Sequence, residues 1–382
     1  MNPIYLDYNA TTPLDVAVRE AMRPYFEGNY GNPSSIHRIG RQARSALDNA
    51  RDRISKVWRC QPSEIVFTSG GTESNNLAIL GAARRGRGRG RHLITSAIEH
   101  HSVLHCFQYL ERCEGFNVTY LPVDGQGLVD PDSLAAAVRP DTILVSIMAA
   151  NNEVGTIQAI DQLGALCSER GLIFHTDATQ WFGKEPVVSV SQFNASLVSV
   201  CAHKLYGPKG IGALFIRSGT GLDSQILGGG HEHEHRAGTE NLPGIIGLAE
   251  VCERFLAEPV FPKADLMAKV EALRKHLKGY AGVTIQGSLE RSLANTVAFT
   301  VKNSDNLTLV AGFDLAGVCV SSGSACAAGS IQASHVLLAM GVNPAEANAL
   351  VRFSLGRETS WKEVEMVKEA IDRVVGGQGD GQ

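Results

Sequence analysis

From about residue 64 onward, short apolar runs alternate with stretches of helical spacing. "EIVFTS" (64–69) is a β-branched and aromatic run, "GGT" interrupts it, and "ESNNLAILGAA" (73–83) repeats its apolar positions every three to four residues. "HLITSA" (92–97) predicts another strand and "EHHSVLHCFQYLER" (99–112) another helix. "TILVSIMA", "GLIFHTD", "LVSVCAH" and "GALFI" are further strand candidates, with "AIDQLGALCSERG" helical among them. Runs that are apolar throughout, rather than every second residue, belong to strands covered on both faces. The pattern predicts an α/β fold with a mainly parallel sheet between layers of helices. In such sheets ligands gather at the carboxyl ends of the strands. Beyond residue 260 the texture changes. A long helix, "LMAKVEALRKHLKGY", leads to strands "VTIQG" and "NTVAFTV", a Gly/Ser/Ala-rich loop, a helix, "RFSLGR", and a last helix, "WKEVEMVKEAIDRVV". That reads as a second, smaller α/β domain completed by the N-terminus, with "GGQGDGQ" (376–382) a disordered tail.

The chain has 382 residues, 44% hydrophobic and 19% charged, enough for a packed two-domain body. A net charge of −4 argues against nucleic acid or an anionic membrane as a general partner. The basic "RRGRGRGR" (84–91) reads as a solvated turn between a helix and a strand. With no long apolar run and no signal-peptide pattern, the expectation is a soluble, cytoplasmic protein. Eight cysteines are spread thinly and none forms a C-x-x-C pair, so most are expected to be reduced core filler. Cys326, in "SSGSACAAGS", does not fit that reading, because its neighbours are small, polar and apt to move.

The polar clusters fall just after strands. Asp177 ends "GLIFHTD" and Lys204 follows "LVSVCAH", beside His203. A lysine amine becomes a nucleophile toward carbonyls once burial or a neighbour lowers its pKa. A carboxylate close by could keep a pyridine nitrogen protonated, the pairing that pyridoxal phosphate requires. A buried ion pair would give the same two residues. "TSGGTESN" adds a helix start at Gly71 and Thr72 whose N–H groups suit a phosphate, unless Thr72 is an ordinary helix cap.

The chain resembles a cysteine desulfurase of the class V aminotransferase branch of fold-type I pyridoxal-phosphate enzymes. The matching pieces are "YLDYNATTP", "GNPSSIH", "TSGGTESNN", "NNEVGTIQ", "HTDATQ", "AHKLYGPKG", "RAGTEN", "SSGSACA" and "VRFSLGR", spread from residue 5 to 357. The "SSGSAC" form resembles the nitrogen-fixation and iron–sulfur-assembly group. This implies a large cofactor domain (15–260) and a small domain (1–14 with 261–375) carrying a mobile cysteine loop (about 321–333). The implied reaction turns L-cysteine into L-alanine and a persulfide on Cys326. The sulfur then passes to a scaffold or carrier protein from an enzyme that is a homodimer.

Residue by residue, the resemblance makes Lys204 the covalent attachment point and the mover of the Cα proton. Asp177 would pair with the pyridine nitrogen, and Asn152 and Gln180 would approach the ring hydroxyl. His100 would stack on the ring and assist proton transfer. Gly71, Thr72 and His203 would hold the phosphate, helped by Thr239 from a second subunit. Arg352 would grip the substrate carboxylate, with Asn32 nearby. Two departures stand out. Cys201 replaces the family's common serine phosphate ligand, which predicts looser phosphate binding because a thiol is a weaker donor. In "GGGHEHEHRAGTEN" (228–241), His231, His233 and His235 alternate with glutamates where relatives carry an arginine. If extended, the three imidazoles share one face and could take a transition metal. The preferred reading is a polar, pH-sensitive subunit contact, with no resident metal. The alternatives are a selenocysteine lyase, a sulfide-releasing lyase, or a sulfur-relay protein without cofactor chemistry.

Overall fold

A computed structural model describes residues 3–323 and 333–376; Cys326 and the tail beyond residue 376 lie outside the described residues. The strands among the described residues are β1 (Ile4–Tyr5), β2 (Ile65–Thr68), β3 (His92–Ser96), β4 (Asn117–Leu121), β5 (Thr142–Ser146), β6 (Ile173–Asp177), β7 (Leu197–Cys201), β8 (Gly212–Ile216), β9 (Val283–Gln286), β10 (Thr296–Val301), β11 (Val318–Cys319) and β12 (Leu350–Ser354). Seven of them form one sheet in the order β2-β8-β7-β6-β5-β3-β4. All run parallel except β8, which is antiparallel to β2 and β7. Every residue of β2, β3, β5, β7 and β8 is buried, as the unbroken apolar runs require. The edge strand β4 is the most open of the seven, and its mixed pattern gave no strand signal.

Helices cover the sheet with one apolar face each. In Arg38–Trp58 the buried Ala43, Leu47, Ala50, Ile54 and Trp58 recur at three- and four-residue spacing. Inside the sheet His175 bridges two strands, its Nδ1 2.7 Å from Ser146 Oγ and its Nε2 2.9 Å from Ser199 Oγ. Burial pushes this imidazole down to about 4, so it is a neutral strut that sets β6 between β5 and β7. Two residues on, the same strand ends in Asp177.

A second sheet, β12-β10-β9, is antiparallel. The first residues of the chain lie beside it: β1 pairs in parallel with β11 in a separate two-stranded sheet, and Asp7 bridges Ser354 of β12. The Asn9 N–H donates to Ser354 Oγ (2.9 Å), so the N-terminal segment passes from this sheet to the mouth of the large one. The basic stretch is a turn only from residue 87, since Arg84, Arg85 and Gly86 finish the helix Gly71–Gly86; Arg84 and Arg87 both pair with Glu114.

The alternating His/Glu stretch is not extended. Glu232, His233 and Glu234 have φ of 48°, 55° and 67°, and the tight turn removes the same-face spacing of the three histidines. Its cause is long range. Glu232 turns inward to take a two-pronged ion pair from Arg51 (2.9 and 2.6 Å) and the N–H of Phe67 on β2 (2.8 Å). Both side chains are buried, so the pair holds a strained turn against the sheet. Replacing Glu232 by Ala strands the Arg51 guanidinium and should lower the unfolding free energy by roughly 3 kcal/mol. Arg51→Met with Glu232→Leu should lose much less; urea titrations giving equal losses would contradict the assignment.

Candidate active site

The ends of the parallel strands meet the N-terminal segment around one cavity of about 210 Å³. After β7 the chain makes a single tight turn, Ala202–Lys204, which puts the Lys204 amine at the cavity floor. Its Nζ donates to the main-chain carbonyls of Asn9 (2.6 Å) and Ala10 (2.8 Å). Burial pushes this amine below the ordinary lysine range, and Arg352 adds to the effect, while Cys201, Asp7 and Asp177 oppose it. A neutral fraction of the amine is therefore more accessible here than in water. Asp177 is fixed by both oxygens: Oδ2 accepts from Asn75 Nδ2 (2.7 Å), and Oδ1 from the Thr179 N–H (3.0 Å) and hydroxyl (2.7 Å).

At the other end of the cavity the helix Gly71–Gly86 begins. Gly70 carries it off β2 with φ +153°, a conformation that side chains disfavour. No side chain at the N-cap caps this helix; the Gly71 N–H lies on the Cys201 sulfur, and the N–H of Thr72 is next in line for a ligand. Thr72 is already inside the helix and is not its cap. Glu73 is turned aside, accepting from the Ser69 N–H (2.9 Å) and pairing with Arg236 (2.8 Å). A Cβ on Gly71 would stand 2.8 Å from Thr179 Cγ2, so glycine keeps this corner open. Cys201 is buried alongside, with the backbone N–H groups of Gly71 and Lys204 on its sulfur; burial pushes its thiol up to about 11, which keeps it neutral. His203 has its Nδ1 3.2 Å from Thr11 Oγ1 and is pushed down to about 4 by burial and then by Lys204 and Lys209.

His100 caps the helix His101–Glu114, its Nδ1 accepting from the Ser102 N–H (3.1 Å). That bond leaves the proton of the neutral ring on Nε2. Burial lowers the pKa of this imidazole, Asp177 opposing and Lys204 reinforcing. Arg352, buried on β12, donates from Nη1 to the carbonyls of Asn152 (2.8 Å) and Gly323 (2.9 Å) and from Nη2 to Asp7 Oδ1 (2.6 Å). Its Nε has no partner among the described residues.

The structure thus brings Gly71, Thr72, His100, Asn152, Asp177, Gln180, Cys201, His203, Lys204 and Arg352 around one cavity. It does not bring Asn32 or Thr239 there within one chain: both are exposed. Asn32 closes its own turn on the Ser34 N–H (2.8 Å), and Ser34 Oγ lies 3.2 Å from His231 Nε2, which ties that segment to the one preceding Thr239. Sequence reasoning assigned nothing to Asn9, Ala10, Asn75, Ser102, Met148 or Thr179, all of which line the cavity. Asn9 and Asn75 do sit inside the quoted stretches "YLDYNATTP" and "TSGGTESNN", and polar residues in those runs were the available signal.

A pyridine-aldehyde phosphate fits these groups. Among the described residues the cavity offers an amine without a carboxylate partner, a fixed carboxylate and a helix start with no side-chain cap, and two buried polar atoms of its lining residues, Arg352 Nε and Asn75 Oδ1, lack partners.

Comparison with known proteins agrees with this geometry. Residues 4–367 match the family model described as Aminotransferase class-V. A protein named Cysteine desulfurase IscS from Dictyoglomus turgidum is 44% identical over 97% of this chain and 94% of its own. A solved structure titled NifS-like protein superposes with a TM-score of 0.90 at 38% identity, over 98% of this chain and 100% of that one. Another, titled SspA in complex with cysteine, has a TM-score of 0.82 at 38% identity, over 94% and 100%. The chain belongs to the class-V aminotransferase family, among its pyridoxal-phosphate-dependent cysteine desulfurases.

Proposed function

We propose that the protein removes sulfur from L-cysteine, releasing L-alanine and leaving a persulfide on Cys326 for transfer to an acceptor protein. The observation that carries this reading is the Lys204 amine, buried on two carbonyls and facing a fixed Asp177 carboxylate. When bound, pyridoxal phosphate supplies an electron sink that stabilises negative charge at the substrate Cα. Lys204 would hold it covalently and Asp177 would keep its ring nitrogen protonated. The helix start at Gly71 and Thr72 would bind the phosphate, joined by His203 and, through its weaker thiol donor, Cys201. Arg352 Nε–H is a free donor for the substrate carboxylate, beside guanidinium nitrogens already aligned by Asp7 and Asn152. Lys204, with its lowered pKa, would take the Cα proton, and His100, with Nε2–H free, would donate or accept nearby.

The sulfur step needs a thiolate. The Cβ–S bond of the substrate breaks as its sulfur bonds to Cys326, and the carbon skeleton, with protons returned to it, leaves as alanine. Cys326 lies outside the described residues, but the chain leaves for it at Gly323, whose carbonyl is on Arg352 (2.9 Å).

A second copy of the chain fits the surface around Asn32 and Thr239. Ile36 is 90% exposed and Leu227 85%, with Phe26 and Tyr30 also open, on segments joined through Ser34 and His231. Apolar side chains that open belong under a partner, and a homodimer would bring Thr239 to the neighbouring phosphate site. No helix among the described residues is long and apolar enough to cross a membrane. We also propose a cytoplasmic setting, where a persulfide-forming thiol stays reduced; an acceptor scaffold or carrier completes the cycle.

Two outcomes check this reading. Purified protein given L-cysteine should release alanine and show Cys326 heavier by one sulfur in mass spectrometry, while Cys326→Ala should form no persulfide and lose nearly all turnover. Full turnover of cysteine by Cys326→Ala would favour the sulfide-releasing alternative, and turnover of selenocysteine alone the selenocysteine lyase. In sedimentation equilibrium the protein should have twice the chain mass, and Ile36→Glu with Leu227→Glu should halve it. A single-chain mass for the unaltered protein would rule the dimer out.

A further inference from the structure

Lys184 has no part in the chemistry above, yet it lies directly under it. After Gln180 the chain makes a tight turn through Gly183. There φ is +78°, and Leu205 Cβ stands 2.5 Å from where a Cβ would be, so only glycine fits. The turn sends Lys184 back into the protein, where it is buried. Its Nζ donates to Asn9 Oδ1 (2.5 Å) and to Gln180 Oε1, with the Phe261 ring 5.3 Å away.

Both acceptors are neutral amides. Burial pushes the Lys184 amine well below its ordinary range, and Lys204 and Arg352 push it further. As core filling this is poor, because an apolar side chain of the same volume would sit there at less cost. What the amine orders is an amide that can face two ways. With Gln180 Oε1 held by Lys184, Gln180 Nε2 donates to the Asn9 carbonyl (3.0 Å) and presents its other N–H to the cavity it lines. The same Asn9 carbonyl receives the Lys204 amine. One buried amine therefore fixes a donor that faces the cavity and the residue on which the reactive lysine rests.

We propose that Lys184 is a positioning residue that sets the orientation of the Gln180 amide toward the bound cofactor and pins Asn9 beneath Lys204. The proposal rests on the reading of this cavity as a pyridoxal-phosphate site. It touches no substrate and acts only through Gln180 and Asn9.

The test compares the holoenzyme with Lys184→Met, Gln180→Ala and the double variant. Each is titrated with pH by the visible absorbance of its bound cofactor. Lys184→Met should move the absorbance midpoint by about one pH unit and weaken cofactor binding about tenfold. The double variant should move beyond Gln180→Ala by clearly less than the Lys184→Met shift, the remainder acting through Asn9. In the cofactor-free protein, Lys184→Met should leave Tm unchanged or raise it, yet speed hydrogen exchange in the peptide spanning residues 5–13. A midpoint and affinity that do not change, or shifts of the two single variants that add in full, would overturn the proposal. If Lys184→Met does not fold, Lys184→Gln is read by the same titration and the same criteria. Absence of bound-cofactor absorbance in the unaltered protein would instead defeat the cofactor site itself, and this proposal with it.

Discussion

Two hydrogen bonds from the Lys204 amine to the carbonyls of Asn9 and Ala10 organise the whole site. A carboxylate in their place would hold the amine charged and unreactive; carbonyls satisfy its N–H groups without stabilising the charge as strongly. The arrangement demands that the first residues of the chain reach the carboxyl ends of the large sheet. The pairing of β1 with β11, the Asp7–Ser354 bridge and the bond from Asn9 to Ser354 bring them there. Asn9 then serves both sheets, its side chain on Thr296 (2.9 Å) and Asn295 (3.1 Å) and its carbonyl on Gln180 and Lys204.

Burial works in one direction throughout the cavity. Lys204, His100 and His203 are all moved toward their neutral forms, and the Cys201 thiol stays protonated. Arg352 has its own carboxylate, Asp7. The site therefore sets one fixed carboxylate, Asp177, and one guanidinium, Arg352, among groups moved toward their neutral forms. That division suits a carboxylate-bearing amino acid that must exchange protons with its surroundings.

Much of this was legible in the sequence because it depends on local rules. Unbroken apolar runs marked β2, β3 and β5 to β8, and a parallel sheet puts the residues after those runs on one edge. Lys204, Asp177, His100 and the Gly71 helix start were therefore readable as neighbours before any contact was known. What stayed hidden depends on partners far apart in the chain. Asn9 and Ala10 act through carbonyls, which every residue has and no pattern distinguishes. Lys184 looks like a surface lysine until Gly183 turns it inward. The histidines at 231, 233 and 235 would share one face only in an extended segment, and the buried pairing of Glu232 with Arg51 imposes a tight turn instead. Two-residue strands such as β1 and β11 are too short to carry any periodicity.

Two amines with lowered pKa lie close together, Lys204 lining the cavity and Lys184 beneath it, and the covalent bond is assigned to Lys204 alone. Reducing the cofactor-loaded protein with borohydride and mapping the modified peptide by mass spectrometry decides between them. The adduct is predicted on Lys204 alone, and absent altogether in Lys204→Ala. An adduct on Lys184, or none on either lysine, would contradict the assignment of this site.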